Sequence, residues 1–329
     1  MSENKRRPSG ILQALAGVAG FGALAGVMVT AMISPALAVT SVGATSAIGV
    51  FDALPEFIEM GDQAQKNTLW AQNTQDPADG YTAFAEVYWQ DREEVALEDM
   101  SPYLLAAAVA GEDRRFYDHT GVDINSIVRA ALGNVFSGGI ESGASTLTMQ
   151  LVKNTYIQRS QYLPTAEERQ AAYAVAIETS FQRKLNEMKL AIGVEKQYTK
   201  EEILEAYLNI TGFGGNTYGV QAASQQYFGK PAKSLSPAEA ASLMAIVQYP
   251  TTRNLSNPEN YAANQERRDI ILAAMFAEDY LTQAQYDRAI ATPVDSSFVT
   301  ISPPTAGCLA ANEYTRFFCD YVIKNVENF

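Results

Sequence analysis

From residue 101 onward, the apolar positions of this chain recur at helical spacing and are punctuated by recognisable caps. Ser101-Pro102 places a cap before a proline at the first helical position. Leu104, Leu105, Ala108 and Val109 then form one buried face that runs into Glu112. Asp123 caps a second segment in which Ile124, Ile127, Val128, Ala131 and Val135 keep the helical period until Ser137-Gly138-Gly139. A Gly-rich run to Gly143 reads as a mobile loop leading into a short helix that carries Gln150 and Lys153. Thr165 with Glu168 is a capping box, and no Pro or Gly interrupts the pattern from Ala166 to Ile192, which predicts one long helix. The same device at Thr199 with Glu202 and at Ser236 with Glu239 starts helices near Lys200 and Pro237, and two more are expected at Pro258 to Phe276 and Thr282 to Ile290. Before this region only Thr82 to Trp89 alternates like a strand, and a helix is expected around Leu54 to Ala64. The pattern therefore predicts a mainly α fold, packed helix on helix, with no repeats and no tandem βαβ units.

The N-terminal end is different in kind. No charged residue occurs from Pro8 to Phe51, and Ile11 to Ile33 is long enough to cross a hydrocarbon core of roughly 30 Å. Lys5, Arg6 and Arg7 precede it, so the positive-inside rule puts residues 1–10 in the cytoplasm and everything after a transmembrane anchor at 11–33 outside the cell membrane. The rival is a cleaved signal peptide, since Ala36-Leu37-Ala38 has the small residues of a cleavage site. Residues 34–85 read as a juxtamembrane linker and 286–329 as a C-terminal linker. Within the latter, Cys308 and Cys319 are either a small structural disulfide, which an extracytoplasmic location allows, or two inert thiols. A net charge of -13 excludes nucleic acid as a partner and requires any anionic substrate to find a local basic cluster.

Between Ala107 and Asn154 the chemistry is dense. Glu112 stands at the C-terminal end of an apolar helix, where desolvation raises a carboxylate toward the range of a useful base; a surface ion pair with Arg114 or Arg115 is the plainer reading. Ser145, Thr146, Gln150, Lys153 and Asn154 bring hydroxyls, an amide and an ammonium to one short helix, which can cradle a pyrophosphate but also describes a capped surface helix. Arg183, Lys184 and Glu187 lie three and four residues apart on adjoining helix faces, as an exposed ion pair would. His119 and Phe116 read as structural.

Taken together, E-D-x-x-F-x-x-H-x-G-x-D from Glu112 to Asp123 and G-x-S-T-x-T-x-Q-L-x-K-N from Gly143 to Asn154 resemble the peptidoglycan glycosyltransferase (family 51 transglycosylase) domain of class A penicillin-binding proteins and their monofunctional relatives. Arg183-Lys184-Leu185-Asn186-Glu187 and the stretch from Lys200 to Asn209 continue it, so that the resemblance covers roughly residues 86–285. It implies a lysozyme-like helical domain with a membrane-associated lobe. By the resemblance, Glu112 and Glu187 are the two essential acids, and Asp113 supports them. Gly143, Ser145, Thr146, Gln150, Lys153, Asn154, Arg183 and Lys184 hold the substrate and its pyrophosphate. The chain departs from the family at Met149, where many relatives have Gln, and at Gln161, where an Arg is usual and Arg159 stands nearby. It is also longer than usual between Asn154 and Arg183.

The expected reaction polymerises lipid II into glycan strands. Glu112 deprotonates the acceptor hydroxyl, the anomeric centre inverts, and undecaprenyl pyrophosphate leaves, its charge offset by Lys153, Arg183 and Lys184. No cofactor is required by the sequence, with room for a divalent cation (Mg or Mn) near Glu187 and no dedicated metal cluster. The expected partners are lipid II, the growing strand, membrane lipid and proteins of cell-wall synthesis or division. A lysozyme-like glycan hydrolase and a non-catalytic scaffold of the wall machinery are the alternatives. The single S-x-x-K, from Ser2 to Lys5, lies in the tail, and neither S-x-N nor K-T-G follows the helical domain, so no penicillin-reactive activity is expected of this chain, which reads as the front of a bifunctional protein.

Overall fold

The computed structural model describes residues 57–59, 67–73, 76–88, 90–129, 145–302, 308, 311 and 315–326. The tail at 1–10, the anchor at 11–33, Gly143 and the rest of the Gly-rich loop lie outside the described residues, as does most of the helix expected at Leu54 to Ala64. Among the described residues no helix is long and apolar enough to cross a membrane.

The fold is mainly helical. Helices α1 (Pro102–Glu112), α2 (Leu147–Gln161), α3 (Ala166–Ile177), α4 (Phe181–Glu195), α5 (Lys200–Ile210), α6 (Val220–Phe228), α7 (Pro237–Val247), α8 (Pro250–Arg253), α9 (Tyr261–Ala277) and α10 (Gln283–Ala291) make up the main body. Its centre is α7, whose sequence Pro-Ala-Glu-Ala-Ala-Ser-Leu-Met-Ala-Ile-Val is buried from Ala240 through Ile246 because it is apolar on every face. Helices α1 and α9 pack against it and against each other, while α2 packs on α3, α4 and α5. Small residues set these distances. Gly111 lies so close to Ile271 of α9 that an added Cβ would stand 3.2 Å from it, which lets the end of α1, and Glu112 with it, press against α9. Leu104 is completely buried in the same contact region, and Leu104→Ala would cost about 2–5 kcal/mol.

The caps appear where the sequence places them. Ser101 accepts from the Tyr103 N–H, and the capping boxes at Thr165, Thr199 and Ser236 are all formed, with another at Thr282. One expectation fails. The single long helix from Ala166 to Ile192 is two helices, α3 and α4, separated at Glu178, Thr179 and Ser180. Ser180 is extended, and its hydroxyl accepts from the Arg183 N–H at 3.2 Å. Thr179 and Ser180 permit the break without Pro or Gly, because the serine hydroxyl offers the backbone a competing partner and caps the next helix. The break re-aims α4 and with it Arg183, Lys184 and Glu187.

Both stretches read as linkers carry ordered structure. Strands β1 (Asn67–Gln72) and β2 (Tyr81–Val87) form an antiparallel hairpin with an irregularity between Leu69 and Trp70, and helix α11 (Arg316–Val326) lies near the C-terminus. Ala85, Phe84 and Leu69 of the hairpin pack with Ala311, Cys308, Cys319 and Ile323 into a small core of their own. Cys308 and Cys319 are joined by a disulfide, closing a loop across 11 residues where there is little other core to fix the chain.

Candidate active site

The N-terminal end of α2 is built by residues that precede it in sequence. Thr146 caps it, accepting from the Met149 N–H at 3.2 Å and donating to the Gly121 carbonyl at 2.6 Å. Gly121 has φ +90°, and an added Cβ would fall 2.6 Å from the Ala191 backbone of α4, so only glycine lets this loop tie α2 to α4. Asp113 is buried and accepts from the Leu147 N–H at 3.1 Å while its same oxygen meets His119 Nε2 at 2.9 Å. His119 is held through Nε2 by Asp113, while Glu195, which pairs with Lys200 at 2.6 Å, stays 3.9 Å from Nδ1, beyond hydrogen-bond distance. Phe116 is wholly buried, with the Lys200 ammonium 4.3 Å from its ring centre. Asp113 through Oδ2 and Thr146 through its hydroxyl thus hold the start of α2 in place while both also border a hollow beside Glu112.

A cleft of about 710 Å³ runs between α1, α2, α4 and the loops around Gly212 and Pro250. Glu112, Ser145, Gln150, Lys153, Asn154, Lys184 and Glu187 all line it. On its far side Glu112, Ser145 and Arg267 also border a second hollow of about 450 Å³ that holds Arg114, Arg115 and Arg129, so that Glu112 stands where the two meet.

Glu112 has one guanidinium in ion-pair range, and its closest side-chain partner is an amide. Gln150 Nε2 donates to Glu112 Oε2 at 3.1 Å, and Gln150 Oε1 accepts from the Tyr207 hydroxyl at 3.2 Å. Arg267 Nη2 donates to the Gly111 carbonyl at 2.8 Å and reaches Glu112 Oε1 at 3.4 Å. Burial raises the Glu112 pKa, and the Gln150 hydrogen bond, Arg267 and the more distant Arg253 only partly offset it. The plainer alternative, an ion pair with Arg114 or Arg115, is absent among the described contacts: Arg115 lies beside Asp118 and Asp123, and Arg114 donates to the Ala110 carbonyl.

Glu187, on α4, is surrounded by charge instead. Arg183 Nη1 donates to Glu187 Oε1, and Lys184 Nζ donates to Oε2 at 2.8 Å and to Ser145 Oγ at 2.9 Å. The pair read as a common surface interaction is thus built around a carboxylate with 3% of its side chain exposed. Burial together with the neighbouring Arg183 and Lys153 charges lowers Lys184 to about 8, and burial plus Arg183 lowers Lys153. Two cations on one carboxylate, with Lys153 of the cleft wall near enough to be felt by Lys184, leave an excess of positive charge beside the cleft, which is what an anion-binding site requires. Arg159 does not join them, because its guanidinium donates to the Glu59 carbonyl at 2.8 Å.

Two residues of the site carried no functional reading in the sequence. Tyr207 belongs to an apolar stretch that reads as core, and its hydroxyl announces only that a buried phenol needs a partner. Arg267 stands beside Arg268 on α9, and spacing could not tell which of the two turns toward Glu112, 155 residues earlier in the chain. Arg268 is completely buried and donates to the Thr292 carbonyl at 2.6 Å.

A family profile described as Transglycosylase matches residues 80–276. Among curated proteins, penicillin-binding protein 1A of Pseudomonas aeruginosa is 37% identical over 213 residues, covering 64% of this chain and 23% of that protein. Penicillin-binding protein 1F of Bacillus subtilis is 36% identical over 199 residues, covering 60% and 25%. Among solved structures, the crystal structure of penicillin-binding protein 1A from Haemophilus influenzae aligns at 20% identity with a TM-score of 0.38, over 75% of this chain and 23% of that one. The chain spans about a quarter of the length of the curated relatives it matches.

Proposed function

The chain belongs to the transglycosylase family, and from that premise and the geometry of the cleft we propose that its helical domain is a peptidoglycan glycosyltransferase that polymerises lipid II. The observation that carries the reading is the pairing, in one cleft, of a desolvated carboxylate at Glu112 with the cations Lys153 and Lys184, backed by Arg183 on Glu187. The acceptor sugar hydroxyl gives its proton to Glu112, and its oxygen forms the new bond to the anomeric carbon of the donor. The bond from that carbon to the pyrophosphate oxygen breaks with its electron pair, and the centre inverts. Preplaced cations meet the charge that develops on the leaving group, which lowers the barrier without reorganisation at the moment of reaction.

Glu187 acts in this reading by holding the cations. Both of its oxygens are already bonded, to Arg183 and Lys184, so it is poorly placed to activate a water. That disfavours a hydrolase, which needs a second free carboxylate beside the sugar. A divalent cation beside Glu187 would have to displace Arg183 or Lys184 from its oxygens. A membrane anchor at 11–33 would keep the cleft near its lipid-linked substrate. The exposed Ile124, Val128, Val175 and Ile177 offer apolar surface for a membrane-associated lobe. Incubation of the full chain with lipid II, and separately with finished peptidoglycan, tests the assignment. Glycan polymer from lipid II is the expected result; cleavage of finished glycan with no polymer from lipid II would overturn it.

A further inference from the structure

Tyr207, on α5, is completely buried, and the only polar side chains beside its hydroxyl in the described contacts are Gln150 and Thr211. The Thr211 hydroxyl is occupied with the Tyr207 main-chain carbonyl at 2.6 Å. Gln150 has its carbonyl toward Tyr207 and its amino group toward Glu112, at 3.2 and 3.1 Å. A primary amide has two ends of opposite polarity, whereas a phenol can donate or accept. With Glu112 ionised, the bonded arrangement is unique: Tyr207 O–H to Gln150 Oε1, and Gln150 N–H to the carboxylate. With Glu112 protonated, the carboxyl needs an acceptor, and the amide can provide one by turning over. Its Oε1 then accepts from Glu112, and its Nε2 donates to the phenol oxygen.

We propose that Tyr207 is a positioning residue for Glu112, acting through the Gln150 amide, and that this amide turns over as Glu112 gains and loses its proton. The inference rests on the reading of Glu112 as the base: turning the amide over takes the Gln150 acceptor away from the phenol O–H, so Tyr207 favours the arrangement that serves the ionised carboxylate. Tyr207 itself does not titrate in this range, because burial and the nearby Glu112 and Asp113 carboxylates hold its hydroxyl well above the usual phenol value. The other charged groups that bear on Glu112 are Arg267 from α9 and Arg253 from α8, with Lys153 of α2 and Lys184 and Glu187 of α4 across the cleft. None of these contacts Gln150 in the described structure, so removing the phenol hydroxyl leaves them in place.

The test needs no substrate. In the full chain carrying ¹³C-labelled glutamate, the Glu112 carboxyl signal is assigned by its loss in Glu112→Gln and followed with pH. Tyr207→Phe is expected to raise the Glu112 pKa by about one to two pH units, the size of one lost hydrogen bond that favours an ionised group. Gln150→Leu is expected to raise it at least as far, and adding Tyr207→Phe to Gln150→Leu to change nothing further. In the polymerisation assay, Tyr207→Phe should move the acid limb of kcat upward by the same amount with KM within about twofold, whereas a purely structural role would lower activity at every pH without moving the limb. An unmoved Glu112 titration in Tyr207→Phe, or an equal shift when Gln150 is already Leu, would overturn the proposal. If Tyr207→Phe does not fold, the Gln150→Leu titration decides alone, and an unchanged pKa there overturns it. Failure to polymerise lipid II would refute the assigned reaction while leaving the titration result intact.

Discussion

Glu112 and Glu187 line the same cleft and keep little of their side chains in water, 11% and 3%, yet their surroundings differ in kind. Glu112 faces an amide, a phenol behind it and one loosely placed guanidinium; Glu187 has an arginine on one oxygen and a lysine on the other. Burial without close charge makes a carboxylate a better base, whereas burial among cations keeps it ionised and turns it into scaffolding for those cations. Equal burial therefore yields two roles. What separates them is which helices converge on each acid.

The comparison is broken most directly at Glu112. Glu112→Gln should leave lipid II affinity within about threefold and lower turnover by about two to four powers of ten, the range of a lost general base. Thermal stability should stay level or rise, because a carboxylate held at a desolvation cost has been replaced by a neutral amide. Polymerisation at close to the normal rate would sink the assignment. In the native enzyme, activity should fall as pH drops through the raised Glu112 pKa, since only the ionised form accepts a proton.

Glu187→Gln sharpens the contrast, with a smaller effect on rate and the opposite effect on stability. Left without their carboxylate, Arg183 and Lys184 repel each other, and the expected cost is about 1–3 kcal/mol, reduced from that of a fully buried pair because Lys184 is partly exposed. Differential scanning calorimetry of the two variants side by side checks this; equal Tm changes would show that the two acids are not different in kind.

Lys184 provides the next test. With its pKa near 8, it carries its charge below that pH and loses it above, so affinity for a pyrophosphate should be greatest below about pH 8 and decline as pH rises through it. Lys184→Arg should abolish that decline, because a guanidinium stays protonated over the range. Titration calorimetry with inorganic pyrophosphate at several pH values measures it, and an affinity flat from pH 7 to 9 in the native chain would contradict it.

The smallest effect is expected far from either acid. Reduction of the Cys308–Cys319 bridge should speed hydrogen exchange in α11 and leave turnover within about twofold, since this small core shares no residues with the main one. A large loss of activity on reduction would mean that the stapled unit supports the cleft.

Much of the main body is legible in the sequence because caps and apolar periods are local properties. Ser101, Thr165, Thr199 and Ser236 start helices whose partners lie within three residues, and α7 is apolar from Leu243 to Val247. The division between α3 and α4 was missed because Thr179-Ser180 breaks a helix by offering the backbone an alternative, which an absence of Pro and Gly does not reveal. Strand β1 was missed because its polar and apolar residues alternate only briefly and gain their burial from Cys319 and Ile323, far along the chain.

For the site, the sequence alone determined which residue types stand together: Glu112 at the end of an apolar helix, the hydroxyls, amide and ammonium of α2, and three ionic groups on one face of α4. Only the tertiary structure decided what each of them does. It set Gln150, on the wall of the cleft, between Glu112 and Tyr207, tied Asp113 and Thr146 to the start of α2, and carried Arg267 across 155 residues to Glu112. The reason is physical. A helix cap closes within one turn of chain, whereas the pKa of a carboxylate is set by whatever lies within a few ångströms, and in this fold those neighbours come from α1, α2, α5 and α9.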